Sequence, residues 1–178
     1  MAKVKSLKTH KELGITRKQR RNIAKLAMFV RDKVEPPKFN IKYFYAKKNT
    51  KRKPGEDLYD NSMTTDEIGK PKYECGTVAC FCGYGPLAGI RPKRGEGWAD
   101  YGARAFGADM EKSYVDNLRQ IWLFLFSDDH KNSKIAACKR AAWLLQNGLP
   151  ITGAHYGYWE VPRSFKPDWS AIDALAKS

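Results

Sequence analysis

The chain has 178 residues, 42% hydrophobic and 12% aromatic, with 33 Lys+Arg against 19 Asp+Glu. It is too apolar for a disordered chain and long enough for one domain whose core needs no metal or disulfide staples. No apolar run approaches the roughly 18 residues of a membrane span, and the basic N-terminus lacks the apolar stretch of a secretory signal.

The net charge of +14 is unevenly spread. Residues 1–53 hold 18 Lys+Arg and 3 Asp+Glu, a net +15; residues 54–178 hold 15 and 16, a net −1. Such asymmetry points to a polyanionic partner: nucleic acid, an acidic protein or an anionic membrane surface.

In chain order, residues 1–14, with Lys3, Lys5, Lys8 and Lys11, read as a flexible basic arm. Gly14-Ile15-Thr16 then introduces a helix with Thr16 as its N-cap. Ile23, Leu26, Ala27, Val30 and Val34 fall on one apolar stripe, and Pro36-Pro37 stops the helix. Arg17, Lys18, Arg20, Arg21 and Lys25 occupy mostly other faces, suited to phosphates or to anionic lipid. Phe39 to Tyr45 reads as a short aromatic strand, at most part of a small strand pair. It runs into a basic loop, 46–55, carrying Lys47, Lys48, Lys51, Arg52 and Lys53. Rings beside such a loop suit a single-stranded or RNA surface, and equally an ordinary β-element with a solvated loop.

The least generic stretch runs from Cys75 to Ile90 and packs three of the four cysteines among glycines and alanines. A short helix from Thr77 to about Cys82, ended by Gly83 and Gly85, is its local reading. Zinc is disfavoured, because the spacing is Cys-x4-Cys-x-Cys with no His nearby. A Cys75–Cys80 disulfide would distort that helix. Cys75 would stand at a helix N-terminus, where the dipole lowers a thiol pKa, with His155 as the candidate base of a cysteine-dependent hydrolase or transferase. Buried structural thiols are the commoner fate. No cofactor or metal is implied.

Three further helices follow from the apolar spacing: Trp98 to Phe106 ending at Gly107, Ser113 to Phe126, and 134–147 with Ser133 as N-cap. Asp128-Asp129-His130 reads as a polar turn, and Lys139 and Arg140 as the outer side of the third of these helices. Beyond Pro150 the aromatic tail reads as a lid over the core, with a last helix opened by Pro167-Asp168. Dinucleotide, Walker, zincin and nucleophile-elbow motifs, heptads and repeats are all missing.

The order Thr16, Gln19, Asn22, Cys75-Gly76-Thr77-Val78-Ala79-Cys80, Gly83-Tyr84-Gly85-Pro86 and Gly148-Leu149-Pro150 resembles a family of small uncharacterised phage and bacterial proteins with a CGTxAC-x-x-G signature. The resemblance spans residues 16–150; Cys82 and the basic insert 47–53 are particular to this chain. It implies a phage-type origin and a host-cytoplasmic setting, and carries no activity or site residue with it. The expectation is therefore a mainly α, single helical domain over 15–178. Its leading function is an accessory factor docking on DNA, RNA or a ribonucleoprotein through Lys18, Arg20, Arg21, Lys25, Lys47, Lys48, Lys51, Arg52 and Lys53. The alternatives are catalysis by Cys75 and inhibition of an acidic host protein.

Overall fold

The computed structural model describes residues 6–39, 47–48, 59–60, 80–113, 116–126, 133–150 and 161–178. Among these lie five α-helices: α1 (Arg17–Lys33), α2 (Trp98–Phe106), α3 (Asn117–Phe126), α4 (Lys134–Asn147) and α5 (Trp169–Lys177). The fold is mainly α, a single helical domain. Helix α1 is its hub, packed against α2, α4 and α5, while α3 and α4 pack on each other.

Helix α1 begins where its sequence signals place it. The Thr16 hydroxyl accepts the Gln19 amide at 3.2 Å, and the Gln19 side-chain oxygen accepts the Thr16 amide at 2.8 Å. This reciprocal capping box satisfies two amides that the first turn would leave orphaned. The helix ends at Lys33, before the 3-10 turn Pro36–Lys38, where proline removes the donors an α-helix needs. Ile23, Leu26, Ala27, Val30 and Val34 are all buried, as the stripe requires. Each of the larger four contributes about 1.5–3 kcal/mol of apolar burial.

Five expectations are corrected. The arm is docked from residue 6 onward: Leu13 is 3% exposed, Leu7 packs on the core, and the Lys8 amide donates to the Leu145 carbonyl at 2.7 Å. Thr9 and Glu12 exchange a second capping box, which closes a turn and swings Leu13 inward. Lys47–Lys48, expected in the loop 46–55, form strand β1, whose backbone pairs antiparallel with β2 (Tyr59–Asp60), Lys47 opposite Asp60. Of the aromatic stretch 39–45 only Phe39 is described, and it is buried. The described end of the cysteine segment is a 3-10 turn, Cys82–Tyr84, with Gly83 inside it and Gly85 as its C-cap.

Helix α3 starts at Asn117 instead of Ser113. The Asp116 amide donates to the Ser113 carbonyl, and the Asp116 carboxylate accepts the Leu118 amide at 2.7 Å at the start of the helix; residues 114–115 lie outside the described residues. In α4 the Ser133 cap stands, its hydroxyl accepting the Ala136 amide at 3.1 Å. Arg140, expected on the outer side, is buried instead. It lies three residues after Ala137 and four before Leu144, both fully buried, which places it at the border of the apolar stripe. Lys139 is half-buried.

Helix α5 opens as expected, with the Asp168 carboxylate accepting the Ala171 amide at 3.0 Å. Ile172 is fully buried, Trp169 and Leu175 pack against the core, and Arg31 of α1 stacks 4.7 Å above the Trp169 ring.

Candidate nucleic-acid interface

Of the expected phosphate contacts, the described structure holds side chains for the four on α1. Lys18, Arg21 and Lys25 follow one another at i, i+3 and i+7, so they share one face, turned away from the buried stripe. Arg17 borders that face from one turn before Arg21. Arg17 and Lys18 are exposed and Arg21 and Lys25 half-buried; in Arg21 the burial reaches the guanidinium, whose Nε is buried without an acceptor. Arg20 points elsewhere: its Nε donates to the Lys8 carbonyl at 2.7 Å, and desolvation lowers its pKa. Arg20 therefore ties the N-terminal segment to α1.

The cationic end of α1 is held rigidly by a residue with two duties. While its oxygen completes the capping box, the Gln19 side-chain nitrogen donates to the carbonyls of Ala103 and Arg104, at 3.0 and 3.3 Å. Asn22, buried one turn on, donates to the Ala105 carbonyl at 2.8 Å. These three carbonyls belong to the last turn of α2, where a helix runs out of backbone donors, and the Ala103 carbonyl is shared with the Gly107 amide. Helix α2 itself ends at Gly107, at φ +67°, with the Gly107 amide returning to Ala103. A Cβ there would lie 2.5 Å from Ile15 Cγ2, so the left-handed backbone and the close approach of α1 both require glycine. In the sequence Gln19 and Asn22 stand only as parts of a signature, and the clamp they form is not legible there; the Thr16-x-x-Gln19 box is the legible half of that signal.

Lys47 and Lys48 are described through the backbone of β1, and Lys51, Arg52 and Lys53 lie outside the described residues. The candidate nucleophile Cys75 and its candidate base His155 also lie outside them. The described thiols are buried. Burial raises Cys80 to about 11, raises Cys82 well above its ordinary value, and raises Cys138 to about 12. Their contacts are internal: the Cys80 sulfur accepts the Gly83 amide, and the Cys138 thiol faces the Ala27 carbonyl. Among the described residues, no three His, Cys, Asp or Glu side chains gather in a way that could hold a metal ion, and no helix is long and apolar enough to cross a membrane.

What this arrangement can do is electrostatic. A fixed row of cations offers contacts to successive phosphates, giving affinity and salt dependence without reading base sequence. The chain matches no protein-family model, no curated protein and no solved structure.

Proposed function

We propose that the protein is an accessory factor that binds the phosphate backbone of nucleic acid through the outer face of α1, joined by the lysines and arginine of 47–53. The observation that carries this reading is the placement of Arg17 and Lys18 in the first turn of α1, with Arg21 one turn on. That end holds no acidic residue in its first turn. A helix N-terminus favours anions, so each cation there costs about 0.3–1 kcal/mol of helix stability. A bound phosphate removes that conflict, meeting both the cations and the positive end of the dipole. Local rules broken without a compensating contact in the fold are typical of functional surfaces. The phage-type, host-cytoplasmic setting belongs to the same proposal and rests only on the resemblance read at Cys75 to Cys80.

The test is fluorescence anisotropy with labelled duplex DNA, single-stranded DNA and RNA across roughly 50 to 300 mM salt. The expected result is micromolar or tighter binding at the low end, with a steep log–log salt slope. Replacing Lys18, Arg21 and Lys25 together by Gln should flatten the slope by about 2–3. A flat slope for the unaltered protein would transfer the basic face to an acidic protein partner.

A further inference from the structure

The near-neutral charge of residues 54–178 conceals a second cationic element, just before α2, in Arg91-Pro92-Lys93-Arg94-Gly95-Glu96. Lys93 to Glu96 close as a turn, the Glu96 amide donating to the Lys93 carbonyl at 3.2 Å. Gly95 sits at φ +71° in the third position, the pattern of a type II turn, which leaves Arg94 at the apex. Arg91, Lys93 and Arg94 are all exposed.

The one acid of this loop makes its ion pair elsewhere, though Lys93 lies close enough to favour its charge. The Glu96 side chain is 6% exposed and grips Arg104 of α2 with both oxygens, Arg104 Nη2 lying 2.6 Å from Oε2. Its Oε2 also accepts the Lys93 amide at 2.8 Å. Arg104 completes the latch by donating to the Arg91 carbonyl at 3.1 Å. The acid is thus used internally to hold the shape of the loop. Among the described residues, none of Arg91, Lys93 and Arg94 takes part in an ion pair.

Arg104 is also the residue whose carbonyl Gln19 caps. One arginine therefore spans the distance from the basic loop to the clamped end of α1, with its side chain on the loop and its backbone on α1. Gln19 and Asn22 face α2, and Lys18, one turn before Asn22, borders that side, so the loop lies toward the Lys18 edge of the basic face. A duplex carries one charge per about 1.7 Å of axis, so a span of one arginine covers several phosphates.

We propose that the Arg91–Arg94 loop is the second half of a two-part phosphate grip, set beside Lys18, Arg21 and Lys25 so that one nucleic-acid backbone is held by both. This rests on the nucleic-acid reading above. The test compares the unaltered protein with an Arg91→Gln/Lys93→Gln/Arg94→Gln variant, on duplex and single-stranded oligonucleotides of equal length over the same salt range. The loop variant should bind at least tenfold more weakly at low salt. Its slope should fall by about 0.9 per lost contact on duplex and about 0.7 on single strands, which tells the two backbones apart. The single variant Arg94→Gln, at a turn apex outside the latch, should lower the slope by about one such step while leaving Tm unchanged. If the unaltered protein shows a steep slope and the loop variants keep it, the two-part grip is wrong while nucleic-acid binding stands. If the unaltered protein shows no salt-dependent binding, the nucleic-acid reading fails and the grip fails with it.

Discussion

Arg140 is 3% exposed, yet neither its Nε nor its Nη2 has a hydrogen-bond acceptor. Desolvation pushes its pKa down to about 10 from an ordinary 12.5. A cation whose pKa falls on folding opposes folding at every pH below that lowered value, at about 1.4 kcal/mol per tenfold change, hence about 3 kcal/mol here. Arg140→Met keeps the length of the stem and removes the charge, a replacement that is often stabilising at such positions. Differential scanning calorimetry at pH 7 should show a Tm higher by several degrees, at about 2–4 °C per kcal/mol. The gap should narrow as pH rises past 10, where the native guanidinium gives up its proton. A lower Tm would mean that the packing of the arginine outweighs its desolvation. Sequence alone assigned Arg140 outward by residue type; its helical position, between Ala137 and Leu144, pointed the other way.

Gln19 joins two elements, and its substitution separates their contributions. Gln19→Ala removes half of the α1 capping box and leaves the Ala103 and Arg104 carbonyls without their side-chain donor, a loss of about 1–3 kcal/mol in urea unfolding. Gln19→Glu keeps an acceptor for the Thr16 amide and has no donor for α2, so it should recover only part of that loss. Equal losses for both variants would place the whole effect on α2. The boundaries legible in the sequence were those written by local chemistry: Thr16, Pro36, Gly107, Ser133 and Asp168. The docking of residues 6–14 was equally written, in Thr9-x-x-Glu12 followed by Leu13, and was masked by the lysines around it. The start of α3 was not legible from periodicity, because the Asp116 carboxylate is spent on the Leu118 amide at the start of the helix, which apolar spacing does not register.

Charge partition along the chain pointed to α1, and it hid the Arg91–Arg94 loop, since a sum over 125 residues cancels a local cluster against distant acids. The cysteine pattern behaves in the same way: it marks 75–82 as a chemically unusual segment, and of its three thiols the two described, Cys80 and Cys82, are packed in the core. Cys80, Cys82 and Cys138 are buried, each with a raised pKa, so the reactive thiolate is scarce at neutral pH. Titration of the native protein with a chromogenic disulfide at pH 7.5 should leave these three unlabelled until denaturant is added. A thiol that reacts quickly in the native state would be Cys75, and would restore the catalytic alternative.

The latch between Glu96 and Arg104 has a consequence for exchange of the partner. Screening acts most on charges that face solvent and less on a pair whose acid is 6% exposed. If a polyanion is held as proposed, salt that strips it from Arg91, Lys93 and Arg94 would leave the loop in its latched shape. On the proposed grip, the surface would behave as a fixed ion exchanger, emptied by ionic strength alone and reloaded without a step of refolding.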